Sequence, residues 1–306
     1  MHAEKKTPTL GGAWAARRFF ADQLTVESKL ADSILAHTGL AVSINPDGEI
    51  HRHDHPDGRK GNKRIWYVCH SDYAVHGDWA AGDQHAVFAD DNPDPATAHK
   101  ARQQAQERRQ AYLAEKARGY ALVAKRTRTE WLSLPLANPA HPYLAKKSVQ
   151  PHRLRQKGDL LVVPLTDGQR LVNWQTIAAD GSKRFQPGGQ VKGCYHPIGE
   201  IRTDQPLLIA EGWATAATLH EATGYAVAAA MNCGNLHPVA INLRERYPSA
   251  AIIVCADNDH RTPVNPGVTA GNHAAIAVGG RCVWPPAIDG VSDFNDLAAM
   301  GGEVAL

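Results

Sequence analysis

From about residue 140 to its end the chain alternates short β-rich apolar runs with stretches suited to helices, and this alternation constrains the fold more than any other feature. The runs are LLVVPL, RLVNWQTIA, PLLIAE, AIIVCAD and GRCVWP; TAATLHEAT, HPVAINLRERY, TAGNHAAIAV and DFNDLAAM are the helix-compatible stretches. Such a pattern predicts an α/β fold, a parallel sheet flanked by crossover helices. Two runs do not end in a neutral turn. PLLIAE ends in Glu211, and AIIVCADNDH ends in Asp257 and Asp259. Functional groups of α/β sheets gather where the carboxyl ends of strands meet the following loops, so the three acids are expected on one rim.

Asp257 and Asp259 stand two apart, so at an extended strand end both side chains point one way and Asn258 the other. Clustered carboxylates repel unless a cation sits among them. Hard oxygen ligands with no cysteine nearby favour Mg²⁺ or Mn²⁺ and make zinc a poor match. VSDFNDL sets Asp293 and Asp296 after another predicted strand, where either could complete the site. A single acid at a strand end is more often solvated or a helix cap than catalytic. An acid closing one run and a DxD closing another, within one α/β alternation, is the more specific signal.

Composition shifts divide the rest. Residues 13–95 hold alternating and aromatic segments such as KRIWYVCH and the turn-rich NPDGEIHRHDHPDGRKGNK, which predict a small α+β module; DDNPDP reads as its end. Residues 96–139 form a helical connector, its first part rich in Ala, Gln, Glu, Lys and Arg and free of proline to residue 130, with an interruption expected near Gly119. The third stretch, from about 140 to the end, is the α/β alternation itself. In GSKRFQPGGQVKG the turns would let Lys183, Arg184 and Lys192 approach a triphosphate or a nucleic-acid backbone, although a solvated hairpin has the same composition. Arg170 is a lesser candidate of the same kind. Trp174 and Phe185 read either as base-stacking platforms or, the commoner role for an aromatic on a strand, as core.

Other features support blander readings. His51, His53 and His55 alternate, with Cys69, His70 and His76 following, but the flanking DG turns suggest an exposed loop and no cysteine pair accompanies them. Arg102, Arg108, Arg109, Lys116 and Arg118 could track single-stranded DNA, yet Glu107 and Glu115 interrupt the positive face, as on a solvated linker helix. The formal net charge is only +2, so any nucleic-acid contact rests on a local patch. Five scattered cysteines, none in a CxxC pair, argue against a disulfide framework. No run reaches membrane-spanning length, and MHAEKKTPTLGG lacks the apolar stretch of a leader, so a cytoplasmic protein with no membrane partner is expected.

EGWATA, residues 211–216, is one aromatic swap from the EGYATA signature of DNA primases of the conjugative-plasmid and phage-satellite type, and CADNDH matches the DxD of the wider Toprim superfamily. HPYLAKKSV, LLVVPLTDGQRLVNWQTIAADGSKRFQPGGQVKGCYHPIG and SDFNDLAAMGG are similar to the segments that flank the catalytic core in these proteins. DGEIHRHDHPDGRKGNKRIWYVCHSDYAVHGDWAAG resembles an N-terminal module of the same group. The resemblance implies a Toprim sheet over 204–306 preceded by a β-rich basic subdomain over 140–203, and synthesis of short primers from nucleoside triphosphates on a single-stranded DNA template, for a mobile element in a bacterium. It implies that Asp257 and Asp259 carry the metal, that Glu211 binds metal or moves a proton, that Asp293 is an additional ligand, and that Asp296 starts the last helix. Lys183, Arg184, Lys192 and Arg170 would meet nucleotide or DNA. The Cys-based zinc module of many primases has no counterpart here.

Three rival classes use the same motifs. A Toprim nuclease would cut with these acids, a topoisomerase would need a strand-cleaving Tyr domain and far more chain, and a non-catalytic adaptor would bind single-stranded DNA or recruit a helicase. EGWATA with the preceding KRFQPGG points to the primase branch, and the retained acids speak against the adaptor. No GxxxxGK[ST] loop is present, so a replicative helicase is expected as a separate partner.

Overall fold

The computed structural model describes residues 25–90, 93–202 and 204–306. The opening segment MHAEKKTPTLGG and the start of the predicted 13–95 module lie outside the described residues. The chain divides into two units, Met1–Ala114 and Glu115–Leu306.

In the first unit Thr25 caps α1 (Val26–Thr38), its hydroxyl accepting the Ser28 N–H at 3.3 Å, and Gly39 ends the helix in the left-handed region at φ 69°. Val26, Leu30 and Ile34 recur at helical spacing and are buried. They pack on a four-stranded antiparallel meander in sequence order, β1 (His51–His53), β2 (Ile65–Cys69), β3 (Tyr73–Asp78) and β4 (His85–Phe88). Strands β2 and β3 are buried throughout because the sheet is covered on both faces: Ile65, Tyr67 and Cys69 meet α1, while Trp66 and Val68 meet Ala101 and Ala105 of α2 (Pro95–Ser133). The expected break near Gly119 does not occur; α2 runs through it, and nothing lies within 4 Å of a side chain added there. A lone glycine costs a helix only about 1 kcal/mol, which the strong helix formers around it absorb.

In the second unit the later part of α2 is followed by α3 (Pro142–Lys147), capped by His141. An antiparallel sheet follows, β5 (Arg155–Lys157), β6 (Leu160–Thr166), β7 (Leu171–Ile177) and β8 (Lys183–Phe185), in that order. Next come β9 (His196–Ile198), β10 (Leu207–Ala210), α4 (Trp213–Thr223), β11 (Ala226–Ala229), a 3₁₀ turn at Cys233–Asn235 and α5 (Leu236–Arg246). β12 (Ile252–Cys255), α6 (Pro266–Ala277), β13 (Arg281–Val283) and α7 (Phe294–Ala299) complete the unit. Its five-stranded sheet has the order β13-β12-β10-β11-β9, parallel except for β9.

Side-chain alternation splits the core. Leu208, Ala210, Ile253 and Cys255 face α4 and α7, whereas Leu207, Ile209, Ile252 and Val254 face α5 and α6. Leu161, Val163 and Leu165 of β6 are each 0% exposed and join the first of these cores. At about 1.5–3 kcal/mol per buried aliphatic side chain, they tie the antiparallel sheet to the parallel one. β9, upstream of residue 204, supplies the parallel sheet's edge.

Candidate active site

The topology builds a crevice. β10 and β12 are neighbours with Ala210 opposite Cys255, and the chain leaves β10 into α4 on one face of the sheet but leaves β12 toward α6 on the other. Adjacent strands whose connections diverge leave a gap beyond their carboxyl ends, where ligands of open α/β sheets bind. Glu211 stands one residue past β10 and Asp257 two past β12, so both enter this gap.

The acids feel one another strongly there. Burial first, then Asp259, raises the Glu211 carboxyl above its usual range, and the Cys233 backbone N–H, which hydrogen-bonds it, works the other way. Asp257 is pushed up to about 8 by burial, then by Glu211, Asp293 and Asp259, with Lys183 opposing. Its Oδ1 is buried and has no hydrogen-bond partner. Asp259 is anchored, Oδ2 accepting the Gly267 N–H at 3.1 Å. Asp293 caps α7, Oδ1 accepting the Asp296 N–H at 2.8 Å. Asp296, in the first turn of that helix, is turned to other partners, the Ser292 hydroxyl at 2.9 Å and Lys147 Nζ at 3.4 Å.

Of the basic candidates, Lys183 joins the acids. β8 carries its Nζ to 3.9 Å from where a Cβ on Gly212 would stand, and its charge reaches both Glu211 and Asp257. Arg184, next on the strand, is exposed and on the opposite face. Lys192 is exposed, and Arg170 pairs with Asp167 at 3.6 Å beside the β6–β7 turn. These three are not drawn into the acid cluster. Trp174 is 2% exposed and Phe185 packs against the same core, so the core reading holds for both. Gly212, which joins β10 to α4, has φ −98°, open to any residue, and a Cβ there would make only ordinary contacts, at 3.6 Å or more.

The upstream histidines have separate partners: His51 bonds Asp47 at 3.0 Å, His55 Nδ1 accepts the Asp57 N–H at 3.1 Å, and His76 bonds Ser33 at 2.7 Å. Among the described residues no group of three His, Cys, Asp or Glu side chains stands ready to hold a metal ion. The chemistry of the cluster nevertheless fits a hard divalent cation: an orphaned, buried carboxylate oxygen and two carboxyls held above their usual range are what such a charge would relieve. A cleft of about 270 Å³ leads away from Asp259 past His260, Arg261 and Thr262 to Gly290–Ser292. Two larger cavities, about 560 and 610 Å³, lie around Pro197, Gly199 and Glu200 and include none of the acids.

Three residues of the site carry no functional expectation from the sequence. Asn258 is 4% exposed and fully hydrogen-bonded, Asn265 bonds both Asn258 and Asp259, and Gly267 abuts the Asp257 carbonyl. The available signal was NPG shortly after the DxD, a turn that opens a helix.

Residues 206–303 match the family model of the Toprim domain. A DNA primase TraC of Escherichia coli is 33% identical over 262 residues, 78% of this chain and 24% of the relative. Another DNA primase TraC of Escherichia coli is 34% identical over 163 residues, 50% of this chain and 11% of that relative. The chain spans about a quarter of the length of the first. Among solved structures, the Aquifex aeolicus primase (zinc-binding and RNA polymerase domains) aligns over 92% of this chain and 82% of its own, at 14% identity and a TM-score of 0.42. The DnaG primase catalytic domain bound to ssDNA aligns over 62% and 77%, at 14% identity and 0.39. Among the described residues no helix is long and apolar enough to cross a membrane.

Proposed function

We propose that this Toprim-type chain, whose Toprim domain occupies residues 206–303, is a DNA primase that joins nucleoside triphosphates into short primers on single-stranded DNA. The observation that carries the reading is the convergence of Glu211, Asp257 and Asp259 with Lys183 beyond the ends of β10 and β12, with one Asp257 oxygen buried and unpartnered.

In this reading a primer 3′-hydroxyl attacks the α-phosphorus of the incoming nucleotide, a new phosphorus–oxygen bond forms, and the bond to pyrophosphate breaks. Asp257 and Asp259 hold Mg²⁺ or Mn²⁺, with Asp293 as an additional ligand through the oxygen its helix cap leaves over. Bound there, the cation supplies positive charge to the phosphate oxygens. Glu211 is suited to receive the hydroxyl's proton, because burial and then Asp259 raise its affinity for a proton above that of an ordinary carboxylate. Lys183 meets the triphosphate, and the exposed Arg184, Lys192 and Arg170 hold the template backbone. The upstream module assists template binding, a separate helicase opens the duplex, and the activity serves a bacterial mobile element.

Incubating the protein with single-stranded DNA, labelled nucleotides and Mg²⁺ or Mn²⁺ tests the reading. Primer-length product that disappears in Asp257→Ala supports it. Shortening of the DNA instead identifies a Toprim nuclease, and binding with neither outcome identifies an adaptor.

A further inference from the structure

Asn258 sits between the two acids of the DxD, where any spacer residue would satisfy the motif, yet it is buried and each of its amide groups is spent. Its backbone N–H donates to Ser292 O at 2.7 Å and its Nδ2 to Pro285 O at 2.8 Å. The second bond fixes the side-chain amide: with Nδ2 on a carbonyl, Oδ1 must face Asn265, whose Nδ2 donates to it at 2.8 Å. That orients Asn265 in turn, so that its Oδ1 accepts the Asp259 backbone N–H at 2.9 Å. One self-consistent arrangement satisfies all four groups.

Asn265 is also in an unusual conformation. Its φ of 40° lies in the left-handed region, and although it precedes α6 it makes no side-chain capping bond to that helix. Its side chain serves the acid loop instead. Two residues on, the Gly267 N–H bonds Asp259 Oδ2, and a Cβ at Gly267 would collide with the Asp257 carbonyl oxygen. The loop is therefore gripped on one side by the Asn265–Gly267 turn and on the other by residues 285 and 292. Ser292 directly precedes Asp293, so the same network fixes three acids relative to one another. Carboxylates crowded in a buried crevice drive each other apart, and something must oppose that.

We propose that Asn258 and Asn265 are positioning residues, an amide pair that sets the spacing of Asp257, Asp259 and Asp293 for a divalent cation. The inference rests on the metal reading of the site proposed above. Outer residues that orient ligands are typically worth about 10–100-fold in metal affinity.

The test is Mn²⁺ affinity by isothermal titration on the full chain, with the melting temperature recorded with and without Mn²⁺. Asn265→Gly tolerates the left-handed backbone and removes both side-chain bonds; Asn265→Asp keeps the acceptor for the Asp259 N–H and loses the donor to Asn258. The expected result is affinity weakened about tenfold or more in Asn265→Gly, a smaller loss in Asn265→Asp, and a reduced Mn²⁺-induced rise in melting temperature. A purely structural role lowers the metal-free melting temperature and leaves affinity intact, which overturns the inference. If Asn265→Gly does not fold, wild-type affinity in Asn265→Asp does the same. Wild-type protein that takes up no Mn²⁺ overturns the metal reading and this inference together, whereas wild-type uptake matched by the variants overturns the inference alone.

Discussion

Asp257 carries the sharpest single-residue consequence. Its carboxyl is held at about 8 against a reference of 3.8, burial being the first cause and Glu211 the second. Below the reference value both folded and unfolded forms are protonated and nothing is lost. As pH rises from about 4 to 8 the unfolded chain ionises while the native chain keeps its proton, so stability falls across that window and levels off above it. Asp257→Asn removes the penalty. Denaturant melts in EDTA should show the variant gaining stability over wild type as pH rises from about 5 to 8.5, by a few kcal/mol at the upper end. A pH-independent difference would mean that Asp257 is solvated. The place of this residue just past a strand end was legible because an apolar run led into it. Asn258 and Asn265 were not legible, since an asparagine's value lies in partners distant in sequence, here Pro285 and Ser292.

At the scale of elements, the strongly apolar strands β6, β7, β10 and β12 were legible from their runs. β11 was not: AVAA is three parts alanine, a residue that signals helix, and only burial between β10 and β9 makes it a strand. α6 was read as a helix without its packing. Gly267 and Gly271 stand four apart and so share a helix face, and that face lies against the strand leading to the acids. A Cβ at Gly271 would stand 2.6 Å from Ala256 Cβ and 2.8 Å from Cys282 Sγ. Gly271→Ala should therefore destabilise by ~1–3 kcal/mol through overpacking, even though alanine favours the helix by up to about 1 kcal/mol. The denaturation midpoint decides; a stabilised variant would show that α6 can draw back from β12.

For the whole molecule, pH acts on both units. Burial first, and then His85 and His37, hold His76 at about 4, while burial alone is the leading cause that holds His196 near the same value. Above about 6.5 both are neutral in folded and unfolded chains; as pH falls from 6.5 toward 4 the unfolded chain takes up protons that the native one refuses, and each unit loses up to ~3 kcal/mol. His76→Phe and His196→Gln should each flatten that acid-side slope in tryptophan-fluorescence melts, leaving the alkaline side to Asp257; an unchanged slope would mean the imidazoles reach solvent. Net charge carries no information about the site, because at +2 overall the informative charges are local: four acids and one lysine in a single crevice. Pyrophosphate release tests the proposed role of that crevice most directly, since each nucleotide joined frees one pyrophosphate and hydrolysis of DNA frees none. With single-stranded template, nucleoside triphosphates and Mg²⁺ or Mn²⁺, wild-type protein should release pyrophosphate in step with primer formed, Asp257→Asn should release essentially none, and Lys183→Ala should lose activity by about tenfold or more. Template-dependent pyrophosphate release that persists in Asp257→Asn, or DNA shortening without any release, would contradict it.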